Sequence, residues 1–155
     1  MIVISDSSKE TINLGKNIAG LLKKGDILCL CGELGAGKTI LVKGIALGLG
    51  INPRMIISPS FVLIREYKNK NKLPFYHFDL FRLKKSKDIL NLGYEEYLYG
   101  DGITAVEWAD RLRSLMPSDY LKIQLEIMGR NKRKIKFISF GRRYKKIIEQ
   151  LKDLR

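Results

Sequence analysis

The chain is predicted to form a single α/β domain over residues 1–155, with a mostly parallel central sheet, helices on both faces and antiparallel hairpin additions. Three features predict it. The apolar run Ile27 to Cys31 leads into the glycine-rich octapeptide GELGAGKT at 32–39, and Ile40, Leu41, Ile45, Leu47 and Leu49 then recur at helical spacing. A second apolar run, Ile103 to Val106, ends at an acid, Glu107. Several segments alternate polar and apolar residues, as half-buried strands do. Strand, G-x-x-x-x-G-K-[ST] loop and helix in that order specify a P-loop NTPase fold, and 155 residues suit one such unit.

Taken in order, a short strand is predicted at Ile2 to Ile4. A helix follows, entered at Asp6 or Ser7 and running through Ile12, Ile18, Leu21 and Leu22 to Gly25. The loop strand and its helix come next. Ile56 to Tyr67 reads as extended and broken at Pro59, Asn69 to Lys72 as a turn, and Pro74 to Leu80 as a strand alternating Phe75, His77 and Asp79 against Tyr76, Phe78 and Leu80. These two extended stretches resemble a hairpin beside the phosphate loop. Short helices are predicted at Ser86 to Leu92 and Glu95 to Tyr99, a strand at Ile103 to Glu107, and a helix from Ala109 to Leu115 stopped by Pro117. From about residue 120 the chain closes with a basic hairpin and helix: Leu121 to Met128 and Ile135 to Phe140 around the turn GRNKR, then Arg142 to Leu151.

The loop residues have a shared chemistry. Glycine at 32, 35 and 37 permits positive φ and a close approach of backbone N–H groups to an anion. Lys38 can reach β- and γ-phosphate oxygens, Thr39 can set its hydroxyl on Mg²⁺, and the helix they open offers its positive dipole end. Glu33, Leu34, Gly35, Ala36, Gly37, Lys38, Thr39 and Ile40 are therefore the nucleotide-binding candidates. No N-K-x-D tetrapeptide for guanine occurs, since NKNK and NKRK both lack the aspartate, so ATP is favoured over GTP.

A phosphate loop also needs an acid near Mg²⁺, normally at the end of a neighbouring strand. Asp79 and Glu107 both qualify. Glu107 ends the more apolar strand and is the better candidate for touching the ion or orienting the attacking water; Asp79 would hold a metal-bound water or the Thr39 hydroxyl. For each acid a surface salt bridge is the plainer alternative. Ser60, in SPSF, can serve as a hydroxyl sensing Mg²⁺ or the γ-phosphate, or as an ordinary turn serine. His77, the one histidine, reads more readily as a hydrogen-bonded structural residue than as a catalyst. Trp108 fits either core packing or a contact with nucleotide or partner.

Composition narrows the classes. No stretch of 18 apolar residues occurs and the N-terminus lacks a signal-like pattern, so a cytoplasmic protein with no membrane partner is expected. Cys29 and Cys31 share one strand face and read as reduced core residues, with metal binding the remote alternative. The net charge of +13 is uneven: residues 1–128 carry 18 basic and 14 acidic side chains, whereas 129–155 carry 11 and 2. Arg130, Lys132, Arg133, Lys134, Arg142, Arg143, Lys145 and Lys146 could steer the chain to RNA or an acidic protein surface, or simply form a solvated face.

Several patches together resemble the bacterial tRNA threonylcarbamoyladenosine biosynthesis ATPase family TsaE, formerly YjeE: GELGAGKT at 32–39, SPSFVLIREY at 58–67, YHFDLFR at 76–82, LGYEEYL at 92–98 and VEWAD at 106–110. The resemblance covers roughly residues 7 to 115. It implies an ATP- and Mg²⁺-dependent accessory ATPase that supports TsaB and TsaD in modifying the adenosine beside the tRNA anticodon, with tRNA reached through those partners or touched by the basic tail. It implies that Lys38 and the loop hold the phosphates, that Thr39 and Glu107 bind Mg²⁺, that Asp79 is the acid of the HFDLFR motif, and that Ser8 to Thr11 lie near the adenine. Ser60 and Trp108 become functional candidates. The family usually has SPT where Ser60 stands, often tyrosine at Phe81 and often glutamate at Asp110. With no arginine finger in the phosphate motifs, slow turnover alone is expected. A nucleotide-gated binding module without significant turnover and a small-molecule kinase are the alternatives.

Overall fold

The structure, a computed structural model, describes residues 1–57, 63–69 and 73–154. Among the described residues seven strands form one sheet: β1 (Ile2–Ser5), β2 (Ile27–Cys31), β3 (Ile64–Lys68), β4 (Pro74–Asp79), β5 (Ile103–Glu107), β6 (Tyr120–Ile127) and β7 (Arg133–Phe140), in the order β1-β7-β6-β2-β5-β4-β3. The core β6-β2-β5-β4 is parallel, while β3 and β7 join its two sides antiparallel and β1 pairs antiparallel with β7. β2 and β5 are buried at every position, as strands covered on both faces must be.

The α-helices of the described residues cover the sheet: α1 (Ser8–Ala19), α2 (Lys38–Gly48), α3 (Ser86–Leu90), α4 (Tyr94–Leu98) and α5 (Arg142–Asp153). Side chains alternate between two cores, as the two-residue strand period requires. Leu28 and Leu30 of β2 join the core under α1, α2 and α5; Ile27, Cys29 and Cys31 join the one under α3 and α4. Both thiols are therefore free and buried, and burial pushes each one's pKa up, which matches inert core residues.

Two glycines decide how α1 and α2 meet. A Cβ on Gly44 would overlap the Ile12 carbonyl oxygen, and one on Gly15 would overlap that of Leu41, so the helices pack backbone against backbone. This brings the start of α1 beside the start of α2. The N-cap is well made: Ser7 Oγ accepts from Glu10 N–H at 3.2 Å while Glu10 accepts from Asp6 N–H at 2.8 Å.

Three predicted elements differ. The first helix stops at Ala19 rather than Gly25, because Leu21 and Leu22 donate to Ile18 and Ala19 in a tightened last turn and Gly25, at φ 84°, swings the chain into β2. The extended stretch predicted from Ile56 starts only at Ile64, preceded by a 3₁₀ turn at Pro53–Met55; Pro59 and most of the turn predicted at Asn69 to Lys72 lie outside the described residues. Ala109–Leu115 is 3₁₀ rather than a continuous α-helix, interrupted at Arg113 (φ 50°, ψ −116°). Among the described residues no helix is long and apolar enough to cross a membrane.

Candidate functional site

The C-terminal ends of three parallel strands converge on the loop. Glu107 pairs in register with Leu30 of β2 on one side and Asp79 of β4 on the other, and Gly32 follows directly after β2. The two acids proposed from sequence are thus neighbours, at the edge where open α/β sheets place their ligands.

Gly37 caps α2 at φ 99°, a left-handed conformation that favours glycine, and α2 has no side-chain cap and no acid in its first turn. Its first N–H groups, lacking intrahelical partners, belong to residues that line a cleft of about 410 Å³. A Cβ on Gly35 would meet nothing within 4 Å, so the space above the loop is open. Lys38, Thr39, Asp79, Glu107 and Trp108 line the same cleft.

Lys38 is only 5% exposed. Its ammonium donates to the carbonyls of Gly32 (2.7 Å) and Glu33 (2.9 Å) and lies 3.9 Å from the centre of the Trp108 ring. Burial pushes its pKa below the usual lysine range, against the opposing pull of the Glu107 and Asp79 carboxylates. Trp108 adopts φ 58°, rare for a non-glycine residue, and its ring also packs on Phe81 at 5.0 Å. Phe81 therefore holds the tryptophan through an apolar contact.

The Thr39 hydroxyl donates to Glu107 Oε2 at 3.0 Å. This corrects the option that Asp79 would hold that hydroxyl. Asp79, buried beside it, accepts from the Phe81 N–H at 2.9 Å. His77, fully buried, places Nε2 2.8 Å from Glu107 Oε1. The histidine is hydrogen-bonded as expected, but to the principal acid of the site. Thr39 and Glu107 supply the hard oxygens that suit Mg²⁺. Among the described residues no group of three His, Cys, Asp or Glu could hold a metal, so phosphate and water oxygens would complete the shell, as is usual for this ion.

Ser8 and Thr11, with Gly35, Gly37 and Ile40, line a smaller cavity of about 80 Å³ next to the loop, closed on the other side by Arg130 and Arg133. Thr11 is buried and shares a hydrogen bond with Ser5 at 2.8 Å. Glu33 and Leu34 are exposed on the loop and Ala36 is buried under it. Ser60 lies outside the described residues.

The basic C-terminal set is divided. Arg133 donates to Gly35 O at 3.2 Å, placing the β6–β7 turn on the phosphate loop; Lys132 pairs with Asp6, Lys134 with Glu126, and Arg143 with Asp26. Arg130, Arg142, Lys145 and Lys146 remain as exposed cations. No sequence signal marked Arg133 as a neighbour of Gly35, 98 residues away. Arg82, next to the Asp79 loop, also lines the cleft and was not singled out.

Strand, glycine loop and helix on a sheet with a parallel core make this a domain of the P-loop NTPase class. A family model described as threonylcarbamoyl adenosine biosynthesis protein TsaE matches residues 5–135, and the chain belongs to that family. It is 41% identical over 143 residues to the tRNA threonylcarbamoyladenosine biosynthesis protein TsaE of Bacillus subtilis, covering 92% of this chain and 88% of the relative. It is also 41% identical over 136 residues to the protein of that name from Aquifex aeolicus, covering 86% and 92%. The crystal structure of Bacillus subtilis YdiB superposes with a TM-score of 0.85 at 37% identity, covering 99% of this chain and 94% of that one.

Proposed function

We propose that the protein is a Mg²⁺-dependent ATPase that serves threonylcarbamoyladenosine modification of tRNA, acting through TsaB and TsaD rather than performing the transfer itself. The observation that carries this reading is the contact between Thr39 and Glu107 on the floor of the cleft that Lys38 lines. The names of the relatives supply the pathway.

In this reading Lys38 turns from the carbonyls of Gly32 and Glu33 to the β- and γ-phosphate oxygens, while the N–H groups at the start of α2 bind the same phosphates. Thr39 and Glu107 would hold Mg²⁺, which neutralises charge developing on the phosphates. Asp79, the in-register neighbour of Glu107, would hold a metal-bound water. Ser8 and Thr11 support a base subsite across the loop. Turnover by the isolated chain is slow and the partners complete the site.

The test is phosphate release from Mg-ATP with and without TsaB, TsaD and tRNA, comparing wild type with Lys38→Ala and Glu107→Ala. Stimulated release that is lost in both variants is the expected result. No stimulated release would overturn it in favour of a binding module, and phosphate appearing on a small acceptor in favour of a kinase.

A further inference from the structure

The two oxygens of Glu107 have different donors. Oε2 accepts from the Thr39 hydroxyl at 3.0 Å, and Oε1 is 2.8 Å from His77 Nε2. His77 comes from β4, where it pairs with Ala105 two positions before the Asp79–Glu107 pair, so it reaches Glu107 diagonally across one face of the sheet. A carboxylate only accepts, so the imidazole donates through Nε2–H.

The other ring nitrogen shows what this contact is for. His77 Nδ1 is buried and has no hydrogen-bond partner among the described residues, although the ring is wholly shielded from water. Such an orphan carries a desolvation cost that an apolar side chain on the sheet face of Phe75 and Ala105 would avoid. Among the described residues its one compensating polar contact is with Glu107. A buried carboxylate oxygen without a donor would be costly in its turn, and a glutamate with three rotatable bonds would lose its fixed orientation.

We propose that His77 is the positioning residue of the nucleotide site: by fixing Oε1 it turns Oε2 toward Thr39 and the cleft, and so sets the affinity for nucleotide-bound Mg²⁺. The inference rests on the reading above that Thr39 and Glu107 hold Mg²⁺. Partners that orient a metal ligand typically contribute about 10- to 100-fold to metal affinity.

The experiment measures binding of a fluorescent, non-hydrolysable ATP analogue with and without Mg²⁺, for wild type, His77→Leu and His77→Gln, with thermal unfolding followed in parallel. In wild type Mg²⁺ tightens binding. His77→Leu loses at least about tenfold of that gain while its metal-free affinity stays at the wild-type value, and His77→Gln, whose amide N–H can replace Nε2–H, keeps most of it. A residue that only packs would lower the unfolding temperature without touching the Mg²⁺-dependent increment. The proposal is overturned if His77→Leu keeps the full gain, or if His77→Gln loses as much as His77→Leu. Wild type that binds no nucleotide, or binds it equally without Mg²⁺, instead overturns the reading on which the inference rests.

Discussion

The two ends of the sheet each bury a carboxylate near a cation, and they do it in opposite ways. At the end away from the loop, Asp26 accepts from Arg143 at 3.1 and 2.7 Å and from the Lys23 N–H at 2.8 Å, Arg143 also donates to Leu21 O, and the Tyr144 hydroxyl accepts from the Ile27 N–H at 2.7 Å. Acid and base there satisfy each other in a two-point geometry. At the loop end, Glu107 accepts from an imidazole and a hydroxyl, while Lys38 rests on two backbone carbonyls and an aromatic face. Opposite charges that pair with each other lock a fold. Charges held by exchangeable partners can be re-aimed at a ligand, which is why the loop end reads as the site and the cavity of about 370 Å³ at the other end does not.

The contrast predicts opposite readouts for two substitutions. Lys38→Ala should weaken nucleotide binding roughly 1000-fold, about 4 kcal/mol, because a buried charge-assisted contact to phosphate is lost. Its unfolding free energy should move by less than about 1 kcal/mol, since burial already disfavours the charge it removes. Calorimetric titration with ATP and chemical denaturation check the two halves, and a strongly destabilised Lys38→Ala would break the comparison. Asp26→Ala should do the reverse. Leaving Arg143 without its carboxylate costs about 3 kcal/mol, or roughly 10 °C in Tm, with nucleotide affinity unchanged.

What could be read from sequence follows the same division. The loop was legible because Gly32 to Thr39 are contiguous and their chemistry depends on local backbone. Glu107 and Asp79 were legible as strand-end acids, since a phosphate loop calls for one. The partners of these residues were not. His77 and Glu107 are 30 positions apart, Arg133 and Gly35 98, Arg143 and Asp26 117; the first contact exists only because β4 pairs in parallel with β5, and the other two only because β6 returns to the far side of β2. The eight cations singled out among the eleven of the last segment therefore read as one patch, whereas the fold sends Arg133 to the loop, Arg143 under the sheet end and Lys134 to Glu126. Ala109–Leu115 failed for a local reason: Trp108 and Arg113 both take positive φ, which helical spacing of apolar residues does not reveal.

The smallest effect sharpens the comparison from the locked end. Tyr144→Phe removes the acceptor for the Ile27 N–H, costing about 1–2 kcal/mol at neutral pH, with no change in nucleotide binding. The same hydroxyl has a pH signature. Burial pushes the Tyr144 pKa from 10.0 up to about 12, so between those values the unfolded chain has released a proton that the folded protein retains. The unfolded state then binds fewer protons, and stability falls as pH rises from about 10 to about 12, by at most about 1.4 kcal/mol per unit from this group. Denaturation curves across that range should show a shallower alkaline decline for Tyr144→Phe than for wild type. Parallel curves would mean that the hydroxyl is not held as the fold places it, and that the far end is less tightly locked than its short hydrogen bonds require.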